Sequence, residues 1–261
     1  MNNVEKRMLD VLRELKNEYN VRVVKAEFEA EGSRTDELVK LNEIVFRADM
    51  DLFIKIGGCE AVRDLDQCRL LGASGIMAPM IETPFAMKKF VGAAKKVYGD
   101  EINTVEWIIN AETKTCKENF DEILEMGKGF LNTISIGRSD FSASIGLEKS
   151  QVNCDEVLES AKYFATKAKE YNLTVGFGGN ISVNSIDFIK NMTGYAKRFE
   201  TRKVVFNHTT DEKMLRAGIL KALEFEMLYI QNKCDFYDRM ANEDKSRLEI
   251  LKERLISEKS K

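Results

Sequence analysis

Short apolar segments typical of strands alternate with longer segments of helical period along most of this sequence. The strand-like segments lie near 21–29, 51–57, 75–80, 104–112, 132–137, 173–178 and 198–207. The helix-like segments lie near 2–19, 35–48, 84–98, 117–127, 154–171 and 183–192. Because a strand can join the next one in parallel only through a crossover, repeated βα units predict a parallel sheet covered by helices.

A closed (β/α) barrel of the TIM type is the architecture that this pattern favours. The chain has 261 residues, which fits a single barrel of about 250 residues. Only seven strand-like segments are recognisable, so one strand of an eight-stranded barrel is either unrecognised or missing. A doubly wound open sheet is the alternative, but no G-x-G-x-x-G motif follows a first strand to support it.

The last fifth of the chain differs from the rest, since it is charged and has a helical period without strand-like segments. We therefore predict a barrel over 1–208 and C-terminal helices over 209–261. These helices pack either on the barrel or on a neighbouring subunit, and the second alternative predicts a homo-oligomer.

Charge and composition exclude several classes of protein. The net charge is −3 and the sequence pI is about 5.6, so no basic field is available to attract nucleic acid. No apolar run approaches the roughly 20 residues of a membrane span, and the N-terminus lacks the apolar core of a signal peptide. The five cysteines form no C-x-x-C pair, and His208 is the only histidine. We expect a cytoplasmic protein without a disulfide framework or a multi-histidine metal site.

Alternation along the strands predicts which side chains enter the barrel, because outward positions pack under helices and are apolar. This places five charged residues and one amide inside: Lys25, Glu27, Glu29, Lys55, Glu112 and Asn110. Buried charges need partners or a function. For Lys25 and Glu27 a structural ion-pair network is an equally open interpretation.

The same reasoning extends to two later strands. Asn180 follows a glycine-rich strand end and can reach into the mouth of the barrel. Parity does not decide the charged segment 198–203, in which either some of Glu200, Thr201 and Arg202 line the mouth or the strand lies on a solvent-exposed edge.

Two acids follow successive apolar strands, Glu112 after 107–111 and Asp140 after 134–137. Carboxyl ends of barrel strands meet on one face, which is where barrel enzymes keep their chemistry. Two carboxylates there can share one hard cation such as Mg²⁺ or Mn²⁺ and leave positions open for a substrate.

Four blocks of the sequence resemble the 2-oxo-acid aldolase and citrate lyase beta-subunit family of phosphoenolpyruvate/pyruvate-binding barrels. The blocks are 53–58 (FIKIGG), 71–83 (LGASGIMAPMIET), 111–113 (AET) and 136–146 (IGRSDFSASIG). Their order and spacing carry the resemblance, since any one block alone would be a weak signal. The resemblance implies a modified TIM barrel that is often oligomeric through exchange of helices near the C-terminus.

The resemblance also implies a site and a reaction. Glu112 and Asp140 would hold Mg²⁺ or Mn²⁺, which chelates a 2-oxo acid and stabilises the enolate formed by carbon–carbon cleavage. Lys55 stands where the family usually has an arginine for the substrate carboxylate. From the blocks and the inward positions we predict catalytic residues Lys55, Glu82 and Arg138. The predicted substrate-binding residues are Lys55, Asn110, Ser139, Asn180 and Arg202.

The sequence departs from the family in two further respects. The first barrel strand of the family is not evident, and the usual general base is missing. The acid–histidine pair expected after an early strand is replaced by 25–32 (KAEFEAEG), and His208 could substitute only if the fold brought it to the mouth. The leading hypothesis is a metal-dependent lyase acting on an oxo acid. The alternatives are a Schiff-base aldolase using Lys55 and a non-catalytic barrel that binds a small ligand.

Overall fold

The computed structural model describes residues 1–260, and its eight strands close into a barrel in sequence order. The strands are β1 (Val21–Glu27), β2 (Asp51–Lys55), β3 (Gly75–Ala78), β4 (Glu106–Ala111), β5 (Thr133–Gly137), β6 (Thr174–Gly178), β7 (Arg198–Glu200) and β8 (Val204–Asn207). The predicted (β/α) barrel is therefore confirmed. A first strand, β1, is present.

The eighth strand comes from the segment near 198–207, which folds as a hairpin of β7 and β8 rather than as one strand. At its turn the Thr201 amide donates to the Val204 carbonyl over 3.0 Å. β8 runs antiparallel to both neighbours, β7 and β1. The expectation of a fully parallel sheet is wrong for β8, because alternation of side chains is the same in both strand directions and cannot reveal a reversal.

Within residues 1–260, ten α-helices surround the barrel. They are α1 (Asn3–Glu18), α2 (Thr35–Arg47), α3 (Val62–Leu70), α4 (Pro84–Tyr98), α5 (Lys114–Glu118), α6 (Phe120–Gly127), α7 (Arg138–Ser144), α8 (Asp155–Glu170), α9 (Ile186–Asn191) and α10 (Glu212–Lys259). Short 3₁₀ turns lie at Gly99–Thr104, Lys149–Gln151 and Val183–Ser185. No helix within residues 1–260 is both long and apolar enough to cross a membrane.

Two apolar cores stabilise the barrel. The larger one lies between the strands and the surrounding helices. The smaller one fills the barrel interior with side chains of Val23, Phe53, Met77, Ile108 and Val205. It separates the polar groups at the two ends of the barrel: Arg198 pairs with Glu106 at 2.7 Å where the parallel strands begin, and Lys55 and Glu112 lie at the opposite end.

The region after 209 forms one continuous helix, α10, rather than several. Its first half packs on α1 and the barrel through buried Leu215, Ile219, Ala222, Phe225 and Tyr229. Every described residue from 238 onward is exposed. The helix therefore has a half that packs on its own barrel and a half that is exposed to solvent.

Candidate functional site

The carboxyl ends of the parallel strands surround a cavity of about 780 Å³, which the β7–β8 turn and α10 complete. Its charged lining residues are Lys25, Glu27, Glu29, Lys55, Glu112, Asp140, Lys149, Glu200, Arg202 and Glu226. A second cavity of about 310 Å³ lies between α1, α2 and α10, away from the strand ends. The larger cavity is where barrel enzymes carry their chemistry.

Glu112 is the most deeply buried carboxylate of the cavity and directly follows β4. Its Oε1 accepts a hydrogen bond from the Met80 amide over 3.0 Å, and its Oε2 accepts one from Asn110 Nδ2 over 2.8 Å. Burial raises the pKa of Glu112, Lys55 opposes the shift, and the negative charge of Asp140 adds to it. The carboxylate is therefore fixed in orientation but incompletely compensated in charge.

Two backbone features make room for the Glu112 carboxylate. Met80 has a left-handed φ of 53°, which is costly for a residue with a side chain, and this conformation aims its amide at Glu112. A Cβ on Gly137 would lie 2.6 Å from Glu112 Oε2. The strained backbone of Met80 and the missing side chain of Gly137 thus both accommodate the Glu112 carboxylate, and such strain is typical of functional sites.

Lys55, at the end of β2, contacts two carboxylates. Its Nζ lies 2.8 Å from Glu29 Oε2 and 3.8 Å from Glu112 Oε2. Burial lowers the pKa of Lys55, but Glu112, Glu29 and Glu27 together raise it above its ordinary value. The ammonium form is therefore the stable one. This direction is the opposite of the lowered pKa that a Schiff-base nucleophile needs.

Asp140 and Ser139 lie in the first turn of α7, directly after β5, and both line the cavity. Asp140 is exposed, in contrast to Glu112. Asn180 also lines the cavity and has a left-handed φ of 50°. The preceding Gly179 packs so closely on the start of α7 that a Cβ there would lie 2.5 Å from the Ser139 amide.

Two predicted catalytic residues do not line the cavity. Arg138 is fully buried and donates to the carbonyls of Gly178 and Gly179 and to Asn153 Oδ1. Burial lowers its pKa to about 9. These contacts join the start of α7 to the end of β6 and to the segment before α8, so the guanidinium is used within the protein and does not line the cavity.

Glu82, the other such residue, accepts a hydrogen bond from the Thr113 hydroxyl over 2.7 Å. The same hydroxyl caps α5 by accepting from the Cys116 amide over 3.0 Å. Glu82 therefore supports the segment that follows Glu112 and acts on the cavity only through it.

The opposite wall of the cavity is formed by β1 and the β7–β8 hairpin. Lys25 pairs with Glu200 at 2.6 Å, and the Ser135 hydroxyl also donates to Glu200 over 3.2 Å. Arg202 lines the cavity, is exposed, and lies 3.6 Å from Glu27 and 3.2 Å from Glu31. The contacts of Lys25 therefore agree with the interpretation that it belongs to a structural ion-pair network.

Two charged residues at or beside the cavity, Glu226 and Lys203, were not singled out from sequence, whereas Glu29 and Glu200 were named as candidates. Glu200 and Glu226 face it from β7 and α10, and Glu29, an inward position by strand alternation, contacts Lys55. Lys203 is buried beside Glu31 and over the Tyr229 ring. The alternation would have placed Glu200 inside if the hairpin had been recognised, whereas nothing local indicates that α10 crosses the mouth.

His208 does not reach the cavity. Its Nε2 lies 2.9 Å from the Ile189 carbonyl oxygen. Because β8 runs antiparallel, the residues after it lie at the end of the barrel where the parallel strands begin. His208 therefore cannot replace the base that the family resemblance leads one to expect.

The donor groups fit a divalent cation held by two protein carboxylates. Residues 1–260 contain no group of three or more histidine, cysteine, aspartate or glutamate side chains arranged for a metal. Mg²⁺, however, commonly uses one or two carboxylates and keeps several waters. Beside Glu112, the buried Oδ1 of Asn110 has no hydrogen-bond partner, and the exposed Asp140 is free to face a ligand. An orphaned oxygen and two acids are the oxygen-rich chemistry that this ion prefers.

Comparisons with solved structures agree with the barrel. An HpcH/HpaI aldolase from Desulfitobacterium hafniense DCB-2 superposes with a TM-score of 0.60 at 14% identity, covering 74% of this chain and 82% of that one. Citrate synthase SbnG gives a TM-score of 0.60 at 16% identity, with 87% and 90% covered. An HpcH/HpaI aldolase/citrate lyase family protein from Burkholderia cenocepacia J2315 gives 0.60 at 13% identity, with 87% and 100% covered.

These identities are low, so the superpositions show the fold alone. No curated protein matches the sequence significantly. The family model for HpcH/HpaI aldolase/citrate lyase, however, matches residues 35–178, which is more than half of the chain and includes β2 to β6 with Lys55, Glu112 and Asp140. The chain therefore belongs to the HpcH/HpaI aldolase/citrate lyase family.

Proposed function

We propose that this protein is a metal-dependent carbon–carbon lyase that acts on a 2-oxo acid or a related carboxylated substrate. The observation that carries the proposal is the convergence of Lys55, Glu112 and Asp140 on one cavity at the carboxyl ends of the strands. Membership of an aldolase and lyase family supports the reaction class. Five free cysteines suit the reducing cytoplasm, in which we expect it to act.

Charge balance supports a cation in this cavity. Lys55 contacts Glu29 and Glu112, and Asp140 lines the same cavity, so these four groups carry two negative charges in excess when all are ionised. Mg²⁺ or Mn²⁺ held by Glu112 and Asp140 would offset this excess and would supply Lewis-acid polarisation of an oxo group. Met80 and Asn110 would keep the Glu112 carboxylate in the orientation for binding.

Lys55 is the group best placed to recognise the substrate carboxylate. Its pKa is raised, so it carries a positive charge at neutral pH. Its present partner Glu29 is partly exposed and can turn toward solvent when a ligand anion takes its place. Ser139, Asn180 and Arg202 line the same cavity and would supply hydrogen bonds to the rest of the substrate.

Proton transfer in this cavity would fall to carboxylates, since the described lining residues include no histidine. Burial raises the pKa of Glu226, which lines the cavity from α10. A raised carboxyl pKa lies nearer to neutral pH, which favours exchange of a proton under physiological conditions. We therefore expect the pH dependence of the reaction to follow carboxylates rather than an imidazole.

Replacing the buried acid tests the proposal. In Glu112→Gln the shape is kept and the charge is lost, so Mg²⁺ should no longer raise the melting temperature and oxo-acid cleavage should be abolished. Glu60→Gln is the matched control, because Glu60 is exposed and pairs only with Lys89 at 2.9 Å. The experiment measures thermal unfolding with and without Mg²⁺ and pyruvate, and pyruvate release from 4-hydroxy-2-oxo acids.

Two outcomes would contradict the proposal in different ways. If Mg²⁺ stabilised Glu112→Gln as much as the wild type, the two acids would not form the metal site. If Mg²⁺ and pyruvate stabilised only the wild type but no cleavage were detected, the barrel would bind oxo acids without turnover. The missing histidine favours this second candidate function, a non-catalytic ligand-binding barrel. Failure of borohydride to trap pyruvate on Lys55 would exclude the Schiff-base alternative.

A further inference from the structure

The cavity has an apolar corner in addition to its charged walls. Five large apolar side chains line it there: Ile181, Val183, Ile219, Leu220 and Leu223. We call these five residues the apolar corner. Leu220 and Leu223 are 54% and 52% exposed, although they line a cavity. Covering such side chains with an apolar ligand removes them from water, which favours binding.

The apolar corner is built by two elements that contact each other. Ile181 and Val183 lie between β6 and α9, and α10 contacts the 3₁₀ turn that begins at Val183. On α10 the buried Ile219 anchors the helix, while Leu220 and Leu223 lie one and four positions further on. The corner is therefore formed by packed elements of the fold and exists before a ligand binds.

The barrel places the apolar corner across the cavity from Lys55. The eight strands close in sequence order, so β2 and β6 are four strands apart and lie on opposite sides of the barrel. Lys55 ends β2, and Ile181 comes shortly after β6. Glu112 and Asp140 follow β4 and β5, which lie between them. A ligand whose carboxylate contacts Lys55 and which passes the two acids therefore reaches the apolar corner with its far end.

The loop that carries Ile181 packs directly on the loop that carries Asp140. A Cβ on Gly179 would lie 2.5 Å from the Ser139 amide nitrogen, and Ile181 is only two residues further along the chain. The apolar corner therefore adjoins the groups that we expect to hold the oxo acid. A chain of a few carbon atoms that leaves the oxo acid on this side would meet the corner.

We propose that the apolar corner binds the tail of the substrate, and that the protein acts on 4-hydroxy-2-oxo acids with an apolar substituent at C4. The inference rests on the function proposed above and names its substrate class. When the C3–C4 bond breaks, its electron pair stays on C3, the C4 hydroxyl gives up its proton, and C3 takes up a proton. The products are pyruvate and an aldehyde that carries the apolar tail, and no further reactant is needed.

The volume of the cavity is consistent with such a tail. It measures about 780 Å³, within the range of roughly 300–1,000 Å³ that is common for sites of drug-sized ligands. Pyruvate alone would leave much of this volume to water and would leave Leu220 and Leu223 uncovered.

The charges beside the apolar corner disfavour an anionic tail. Glu226 lies three residues after Leu223, on the same side of α10, and lines the cavity. Its carboxylate would repel a second carboxylate on the substrate. Lys149 also lines the cavity, but it is exposed and its ammonium stays solvated. A carboxylate tail held by Lys149 is the competing occupant, and the experiment distinguishes it.

The affinity of 2-oxo acids of different length tests the proposal. Calorimetry with Mg²⁺ compares pyruvate with 2-oxoheptanoate, whose tail is four methylenes longer. Each fully buried methylene strengthens binding about fourfold, so a partly covered tail should give at least about tenfold tighter binding than pyruvate. Leu223→Gln should reduce this ratio by at least about fivefold, because a polar amide then meets the tail. Leu248→Gln is the matched control, since Leu248 is 51% exposed on α10 and does not line the cavity, and it should keep the ratio.

Four outcomes would overturn the proposal, and they differ in what else they affect. Pyruvate binding without a gain for 2-oxoheptanoate would remove the apolar corner and leave the proposed reaction standing, whereas no binding of either acid would overturn both. Tighter binding of 2-oxoheptanedioate than of 2-oxoheptanoate would assign this end of the cavity to an anionic tail. An unchanged ratio in Leu223→Gln, with a lower mass by light scattering than the wild type, would mean that a second copy covers the leucines instead of a substrate tail.

Discussion

The two walls of the cavity differ in how their charges are balanced. The hairpin wall, formed by β1 and the β7–β8 hairpin, pairs Lys25 with Glu200, while Arg202 and Lys203 both contact Glu31. The carboxyl wall, formed by the ends of β2, β4 and β5 together with Glu29 just after β1, holds the cation Lys55 and three carboxylates, Glu29, Glu112 and Asp140. The charges of the hairpin wall are balanced by ion pairs within the protein, whereas the negative charge of the carboxyl wall exceeds the positive charge available there.

This difference separates structural charges from functional ones within a single cavity. An ion pair whose members are both buried and both satisfied stabilises one arrangement of strands and leaves nothing for a ligand. The Glu112 carboxylate, whose pKa is raised and which lies near Asp140, would be stabilised by additional positive charge from a ligand or ion. We therefore expect substitutions in the hairpin wall to affect stability and substitutions in the carboxyl wall to affect binding.

The largest expected effect is on stability, from breaking the hairpin wall. Lys25→Met leaves Glu200 buried without its ion-pair partner, so we expect the free energy of unfolding to fall by about 3–5 kcal/mol. Urea denaturation followed by circular dichroism measures the change. Lys89→Met is the control, because its partner Glu60 is exposed and such pairs contribute no more than about 1 kcal/mol. If Lys25→Met lowered the free energy of unfolding no more than the control does, the hairpin wall would not have the structural role assigned to it.

A smaller effect is expected on ligand binding, from the carboxyl wall. Lys55→Met should weaken pyruvate binding in the presence of Mg²⁺ by at least about 2 kcal/mol, the scale of losing one member of a buried charge pair. Lys55→Arg should keep much of the affinity, since the charge survives. Calorimetry measures both, and Lys149→Met is the control, because Lys149 is exposed and lines the same cavity. Unchanged affinity in Lys55→Met would remove Lys55 from the site.

Much of the carboxyl wall could be predicted from sequence because its residues follow regular strands. Strand alternation places Lys55, Asn110 and Glu112 inside the barrel, and all three line the cavity. Asp140 follows its strand directly, so its place at the strand end could be predicted too. These positions depend on local periodicity and on the rule that parallel strands end on one face.

The hairpin wall could not be predicted in the same way. A reversal of direction within 198–207 depends on a three-residue turn at 201–203, which lacks the glycine, proline or asparagine signals of common turns. The partner of Lys25 therefore stayed hidden. The roles of Arg138 and Glu82 were also hidden, since a motif fixes residue types but not whether a side chain turns toward the cavity or into the packing behind it.

The smallest expected effect is a difference in pH dependence: Lys203 of the hairpin wall and Lys55 of the carboxyl wall should change the free energy of unfolding with pH in opposite directions. Burial lowers the pKa of Lys203 below its ordinary value of 10.5, although Glu31 raises it, whereas the pKa of Lys55 is raised. In the pH window just below 10.5 the folded chain releases the Lys203 proton before the unfolded chain does. The unfolded state then binds more protons, so Lys203 stabilises the fold increasingly as the pH rises through this window.

We therefore expect the stability of the wild type relative to Lys203→Met to increase from pH 8 toward 10.5, by less than about 1.4 kcal/mol per pH unit. Lys55 has the opposite sign, because a lysine with a raised pKa loses its contribution as the pH rises through that pKa. Urea unfolding of Lys203→Met from pH 8 to 10.5, and of Lys55→Met above pH 10.5, measures the two slopes. Two slopes of the same sign would contradict the electrostatic difference between the hairpin wall and the carboxyl wall.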